Sequence, residues 1–211
     1  CIDALNDDEL PFKIENVTIA RKVSRNEDPM EPPYDRIFST NKNDDPILLD
    51  ADVVGGTAWL FSRPELSGSF DYLFVDEAGQ VSLANLVAMT NAARNVVLVG
   101  DPNQLPQVIQ GAHPHPANMS CLDWMLGDET TIGGDRGMFL PVTRRMHPDL
   151  CAYISGQFYD GRLKSHVSTA RQEIAAHGLP PAGAYMVPVT HDGRAQECPE
   201  EINACFTKRI D

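Results

Sequence analysis

Basic residues are scarce in this chain. Among 211 residues, 17 Lys and Arg face 30 Asp and Glu, a formal net charge of −13. A surface of that sign repels a phosphate backbone, so any grip on nucleic acid has to sit in a local groove. Cysteine is too sparse to form a framework. The five, Cys1, Cys121, Cys151, Cys198 and Cys205, are odd in number and form no C-x-x-C pair or Cys/His ligand spacing. That argues against a disulfide scaffold and a zinc site, and leaves reduced thiols in a cytoplasmic protein as the expectation. No apolar run approaches the roughly 18 residues that a membrane-spanning helix needs, and the N-terminus lacks a basic start and an apolar stretch, so neither secretion nor a membrane partner is expected.

What is present suits a globular core. Apolar residues make up 42% of the chain and charged residues 22%, with 15 Gly and 16 Pro spread along it; the length suggests one domain and a fraction of another. Acidity thins along the chain, residues 1–55 holding 13 acids against 6 bases. Both ends read as cut. The chain opens on Cys1 and closes at Asp211 inside an amphipathic pattern (Ile202, Cys205, Phe206, Ile210) that follows a helix start at Pro199, Glu200 and Glu201. The expectation is a segment of something longer.

Residues 24–50 are polar and spaced by Pro29, Pro32, Pro33 and Pro46, which predicts irregular connection rather than packed elements. Val53 and Val54 then predict a strand ending at Gly55 and Gly56, and Ala58 to Phe61 follow as a short apolar run. Tyr72 to Val75 reads as a strand buried on both faces that ends in Asp76 and Glu77. Val81 to Arg94 reads as a helix with Leu83, Leu86, Val87 and Thr90 on one face, and Val96 to Val99 as a second buried strand ending in Gly100 and Asp101. In such a β-α-β unit the right-handed crossover brings both acidic tips to one sheet edge, the edge where open α/β sheets bind ligands. Further on, Leu122, Trp124 and Met125 mark a tighter stretch, and Gly127 to Gly137 a looser one. From Pro148 a helix presents Leu150, Tyr153, Ile154 and Phe158 and stops at Gly161; residues 165–183 read as a loop with one helical turn, and Tyr185 to Val189 as an edge strand.

Cleaving a phosphoanhydride requires a held divalent cation and an oriented water, and an apolar strand delivering a carboxylate to the site mouth is a common device. For the Asp76-Glu77 dipeptide alone, a strand end followed by a turn is the plainer reading. The longer strings change it. Asp76-Glu77-Ala78-Gly79-Gln80 resembles the D-E-A-x-Q form of helicase motif II, and Gly100-Asp101-Pro102-Asn103-Gln104-Leu105-Pro106 resembles motif III, G-D-x-x-Q-L-P. Arg144-Arg145-Met146-His147-Pro148 is similar to the Y-R-M-H-P of motif IV, and Gly56-Thr57-Ala58 more weakly to motif Ic. In this order the motifs resemble the 5′ to 3′ branch of superfamily 1 DNA/RNA helicases, AAA-type RecA-like motors, from about residue 51 to the C-terminus.

The resemblance implies an α/β, parallel-sheet RecA-like P-loop NTPase fold, incomplete here: residues 1–137 from the later part of the first RecA-like domain, and 138–211 from the start of the second. It implies ATP and Mg²⁺ as cofactors and single-stranded nucleic acid as partner, DNA favoured over RNA, with a nuclease domain in the same parent chain in some relatives. By position, Asp76 would coordinate magnesium, Glu77 would be the catalytic base, and Gln80, Asp101 and Gln104 would line the nucleotide, Gln104 sensing the γ-phosphate. Arg145 would act as an internal arginine finger across the interdomain cleft, and Thr57 would contact nucleic acid. Two departures stand out: Gln107 replaces a second proline, and Arg144 replaces the tyrosine that stacks on the base, where it would stack its guanidinium, contact a phosphate or stay solvated.

One motif is absent. No G-x-x-x-x-G-K-[ST] occurs in the 211 residues, so the fragment alone is expected not to hydrolyse ATP. The alternative is a non-catalytic module that binds nucleic acid or protein on the same scaffold. A metal-dependent phosphatase using Asp76, Glu77 and Asp101 would leave Gln104 and Arg145 unexplained. Trp59 reads as core more readily than as a stacking platform, and His113 and His115, between prolines with no third ligand nearby, as a solvated loop.

Overall fold

The computed structural model describes residues 17–24, 26, 36–105, 114–173 and 182. The chain divides into two compact units, Cys1–Gly127 and Asp128–Asp211.

In the first unit, strands β1 (Ile19–Lys22), β2 (Ile37–Thr40) and β3 (Val53–Gly55) form a parallel sheet of order β2-β1-β3, Ile19 lying opposite both Ile37 and Val53. β2 and the short helix α1 (Ile47–Asp50) fall where proline spacing predicted irregular chain. They are packed elements because Ile37, Thr40 and Leu48 are buried: a few apolar residues suffice when the neighbouring strand supplies the backbone partners. The predicted strand at Val53 ends at Gly55 as expected, and the apolar run after it is helix α2 (Ala58–Phe61), with Leu60 buried.

β4 (Phe70–Val75) and β5 (Ala93–Leu98) pair in parallel, Val75 opposite Leu98, around helix α3 (Leu83–Thr90). The β-α-β unit is therefore present, but its details differ from the sequence expectation. The strands are not buried on both faces: Leu73 and Val75 are buried, while Tyr72 and Phe74 are 60% and 67% exposed and Val96 and Val99 are also exposed. The helix is shorter than Val81 to Arg94, since Asn91 caps it and Arg94 already lies in β5. Its inward residues are Leu86 and Met89, and Val87 faces out. Leu73, Val75, Ala78, Met89 and Cys121 form one core, and Ala20, Leu48, Leu60 and Leu66 a second, with Phe61 packed against both. Helix α4 (Cys121–Leu126) closes the unit, started by the Ser120 hydroxyl accepting from Asp123 N–H at 3.0 Å.

In the second unit β6 (Val142–Thr143) pairs in parallel with β7 (Lys164–Ser165), flanking helix α5 (Pro148–Phe158). Pro148 at the first helical position follows the sequence expectation. The inward side differs, with Cys151 and Ser155 buried while Tyr153 and Phe158 are exposed. Hydrogen bonding makes the burial of Ser155 tolerable: its hydroxyl accepts from Leu163 N–H at 3.0 Å and its carbonyl from Gly161 N–H at 2.9 Å. Gly161, φ +70°, is the helix stop. Thr130 and Thr131 donate to the Asp160 carboxylate at 2.8 and 2.9 Å, holding its pKa below the ordinary value. Arg162 lies over the Phe139 ring at 4.4 Å. A single helical turn, Val167–Arg171, follows β7. The predicted strand at Tyr185 to Val189 and the helical pattern after Pro199 lie outside the described residues, as do His113, Pro106 and Gln107. No helix among the described residues is long and apolar enough to cross a membrane.

Candidate nucleotide site at the acidic strand tips

Because β4 and β5 are parallel, their C-terminal tips leave the same edge, and the ladder continues past both strands. Val99 N–H donates to Val75 O at 2.9 Å, and Ala78 N–H donates to Val99 O at 2.9 Å. The chain then turns sharply. Glu77 takes a left-handed conformation (φ 50°, ψ 42°), its N–H held by Asp76 Oδ1 at 2.9 Å, and Ala78–Gln80 complete a 3₁₀ turn. A non-glycine residue there costs roughly 1–3 kcal/mol, and such strain persists only where neighbours enforce it.

The neighbours are the second loop and the segment before α4. A Cβ on Gly79 would lie 2.7 Å from Asp101 O, and one on Gly100 2.7 Å from Ala78 N. The two loops thus touch backbone to backbone, and only glycine permits this at either position. From the other side, Cys121 N–H donates to Val81 O, Leu83 N–H to Met119 O, and the buried Cys121 thiol to Ala78 O at 3.0 Å. Burial pushes the Cys121 thiol pKa up. Sequence reasoning missed this clamp; no spacing links residues 119–122 to a turn some forty positions earlier. The paired glycines, by contrast, were visible inside the motif strings.

In the second loop Asp101 Oδ1 accepts from Asn103 N–H at 3.0 Å, an aspartate turn, and Gln104 Nε2 lies 3.4 Å from Asp101 Oδ2. Asp76, Glu77, Gln80, Asp101 and Gln104 therefore gather at one edge of the β4-β5 sheet, all exposed except the half-buried Asp101. Thr57, exposed, precedes α2 at the tip of β3 and makes no side-chain cap bond. Trp59 is 82% exposed, which overturns the core reading: Leu60, its neighbour, takes the inward position on a helix of one turn.

In the second unit, Arg144 and Arg145 are both exposed and follow β6, and neither forms an ion pair among the described residues. Arg145 N–H donates to Thr143 Oγ1 at 3.2 Å, and His147 caps α5 by accepting from Asp149 N–H through Nδ1 at 3.2 Å.

The donor set suits a magnesium-bound nucleotide better than a protein-caged metal. Among the described residues no three His, Cys, Asp or Glu side chains converge on a metal position, whereas Asp76 keeps Oδ2 without a partner there. One carboxylate oxygen beside water and phosphate is a usual way of holding Mg²⁺.

The mixed α/β architecture with parallel sheets is that of a RecA-like domain fragment. The model of an AAA domain family matches residues 15–111. The chain is 30% identical over 144 residues to the 5′-3′ DNA helicase ZGRF1 of Mus musculus, covering 67% of this chain and 8% of that protein. It is 35% identical over 109 residues to the ATP-dependent helicase upf1 of Schizosaccharomyces pombe (51% and 11%) and over 98 residues to Helicase SEN1 of Saccharomyces cerevisiae (45% and 4%). The chain belongs to the superfamily 1 helicases. It spans only a small part of the length of these relatives.

Proposed function

We propose that the chain is part of an ATP-driven 5′ to 3′ motor that moves along single-stranded nucleic acid. The observation that supports this reading is the close backbone approach of Gly79 to the Asp101 loop, which sets the segment carrying Asp76 and Glu77 beside the one carrying Asp101 and Gln104. Asp76 would hold the Mg²⁺ of ATP, which when bound neutralises phosphate charge. Glu77 accepts the proton of the attacking water. Gln104, tethered to Asp101, orients that water and senses its phosphate neighbour. By the resemblance of its motif, Arg145 would supply a guanidinium to neutralise charge on the transferred phosphoryl group.

No G-x-x-x-x-G-K-[ST] occurs in the 211 residues, so on this reading a phosphate-binding loop outside them completes the site, and these residues alone are expected not to turn over ATP. The same absence favours the second reading, a binding module without turnover. ATP hydrolysis by the full-length polypeptide separates the two. Glu77→Gln is expected to lower kcat roughly 10²- to 10⁴-fold while nucleotide binding survives, and Arg145→Ala roughly 10³-fold or more. Turnover unchanged in both variants overturns the motor, and no hydrolysis by the wild type assigns the chain to the binding module.

A further inference from the structure

Glu77 has a strained backbone, and its carboxylate makes no hydrogen bond or ion pair among the described residues. The direction of that side chain is therefore set by the backbone around it. Ala78, the next residue, is fully buried and fastened on both sides. Its N–H donates to Val99 O at 2.9 Å, which continues the sheet ladder, and its carbonyl accepts from the Cys121 thiol at 3.0 Å, 43 positions away at the start of α4. Cys121 is itself anchored. Its N–H donates to Val81 O at 2.9 Å, Ser82 forms an antiparallel bridge with Ser120, and Leu83 N–H donates to Met119 O at 2.9 Å. Leu122, next along, stands against the second loop, its Cδ1 3.1 Å from where a Cβ on Gly100 would lie. Burial pushes the thiol pKa up, so Cys121 keeps its proton at neutral pH and remains a donor. A thiol is a weak donor in water, but a hydrogen bond in a dry interior is stronger, and leaving it unmade is costly.

We propose that Cys121 is a positioning residue for hydrolysis: by holding the Ala78 carbonyl it keeps Glu77 in its left-handed conformation and so aims the carboxylate at the attacking water. The inference deepens the motor reading and rests on it for the role of Glu77. A left-handed non-glycine residue persists only while its surroundings enforce it. With the Ala78 carbonyl released, the turn relaxes toward ordinary backbone angles and swings the Glu77 side chain away from its place beside the Asp101 loop. A misplacement of about 1 Å at a reacting group costs up to roughly 10²-fold in rate.

The test is steady-state ATP hydrolysis by the full-length polypeptide carrying Cys121→Ala or Cys121→Ser, two side chains of nearly equal volume that differ by one hydroxyl. Cys121→Ala is expected to lower kcat roughly tenfold or more with KM for ATP little changed. Cys121→Ser, which returns a donor to the same carbonyl, is expected to recover most of that loss. In a Glu77→Gln background Cys121→Ala should cost nothing further, because two changes that act through one group are not additive. Equal turnover by the Ala and Ser variants, or full additivity with Glu77→Gln, overturns the role. Cys121→Val, which fills the space of the sulfur without a donor, replaces the alanine variant if the latter does not fold. Amide hydrogen exchange of the peptide spanning Glu77 to Val81 gives a readout independent of turnover. It should quicken in the Ala variant and stay at the wild-type rate in the Ser variant; unchanged exchange in Cys121→Ala overturns the role. Loss of the Glu77→Gln effect on kcat overturns the motor reading and this role with it. A normal Glu77→Gln effect beside equal Ala and Ser variants overturns this role alone.

Discussion

Replacing Gly100 by alanine is expected to destabilise the protein by about 2–4 kcal/mol and to part the two loops of the candidate site. The added methyl would stand 2.7 Å from Ala78 N, 3.2 Å from Gly79 N and 3.1 Å from Leu122 Cδ1, where ordinary contacts need roughly 3.5 Å. Leu122 can rotate away, but the other two atoms are backbone, so relief requires separating the Asp76 and Asp101 loops by the better part of an ångström. Overpacking of this kind costs about 1–3 kcal/mol, and loosening the bond from Ala78 N–H to Val99 O adds about 0.5–1.5 kcal/mol. Gly156→Ala is the matched control. Gly156 is exposed inside α5, and a methyl added there would meet nothing within 4 Å, so the variant should gain about 0.5–1 kcal/mol from reduced backbone freedom in the unfolded chain. Urea unfolding followed by circular dichroism measures both. If Gly100→Ala unfolds at the wild-type midpoint while Gly156→Ala moves upward, the two loops do not touch and the single-site geometry is wrong.

Other consequences follow from local chemistry. Peptide-mapped alkylation at pH 8 should leave Cys121 unmodified in the folded protein and modify it in urea, because the thiol is buried, bonded to Ala78 O and held above its usual pKa; rapid native labelling would refute its burial. Asp45 is held below the ordinary carboxylate pKa, first by the Thr40 hydroxyl at 2.7 Å and then by Ile47 N–H. A depressed folded-state pKa stabilises above the unfolded value near 4 and loses that contribution as pH falls through the folded value. Thr40→Val should therefore cost about 1 kcal/mol at pH 7, allowing for solvent screening, and progressively less below pH 4; a pH-independent difference in urea midpoint would show that Asp45 is not the partner that matters. Thr130→Ala with Thr131→Ala should raise the Asp160 pKa toward its ordinary value, read from the side-chain carboxyl resonance in an NMR titration, since those two hydroxyls are the leading causes of its depression; an unmoved titration would remove the network.

The sequence alone determined the architecture of the edge that carries the candidate site. An apolar run closed by Asp76-Glu77, a helical stretch, and a second apolar run closed by Gly100-Asp101 can be joined in parallel only with both tips on one edge, so chain order and handedness sufficed. The helix start at Pro148 and its stop at Gly161 were legible for a related reason: both act through their own backbone geometry. Tertiary structure decided what depends on residues distant in sequence. Whether Tyr72, Phe74, Val87 or Tyr153 faced inward could not follow from hydrophobicity, because burial depends on what lies opposite, and Trp59 was exposed because Leu60 occupied the one inward position of a single-turn helix. The β2 strand escaped a reading based on proline spacing, since its hydrogen bonds come from β1. The left-handed Glu77 and its clamp by Cys121 exist only because the fold brings separate segments together, and no local pattern carries a contact between chain positions that far apart.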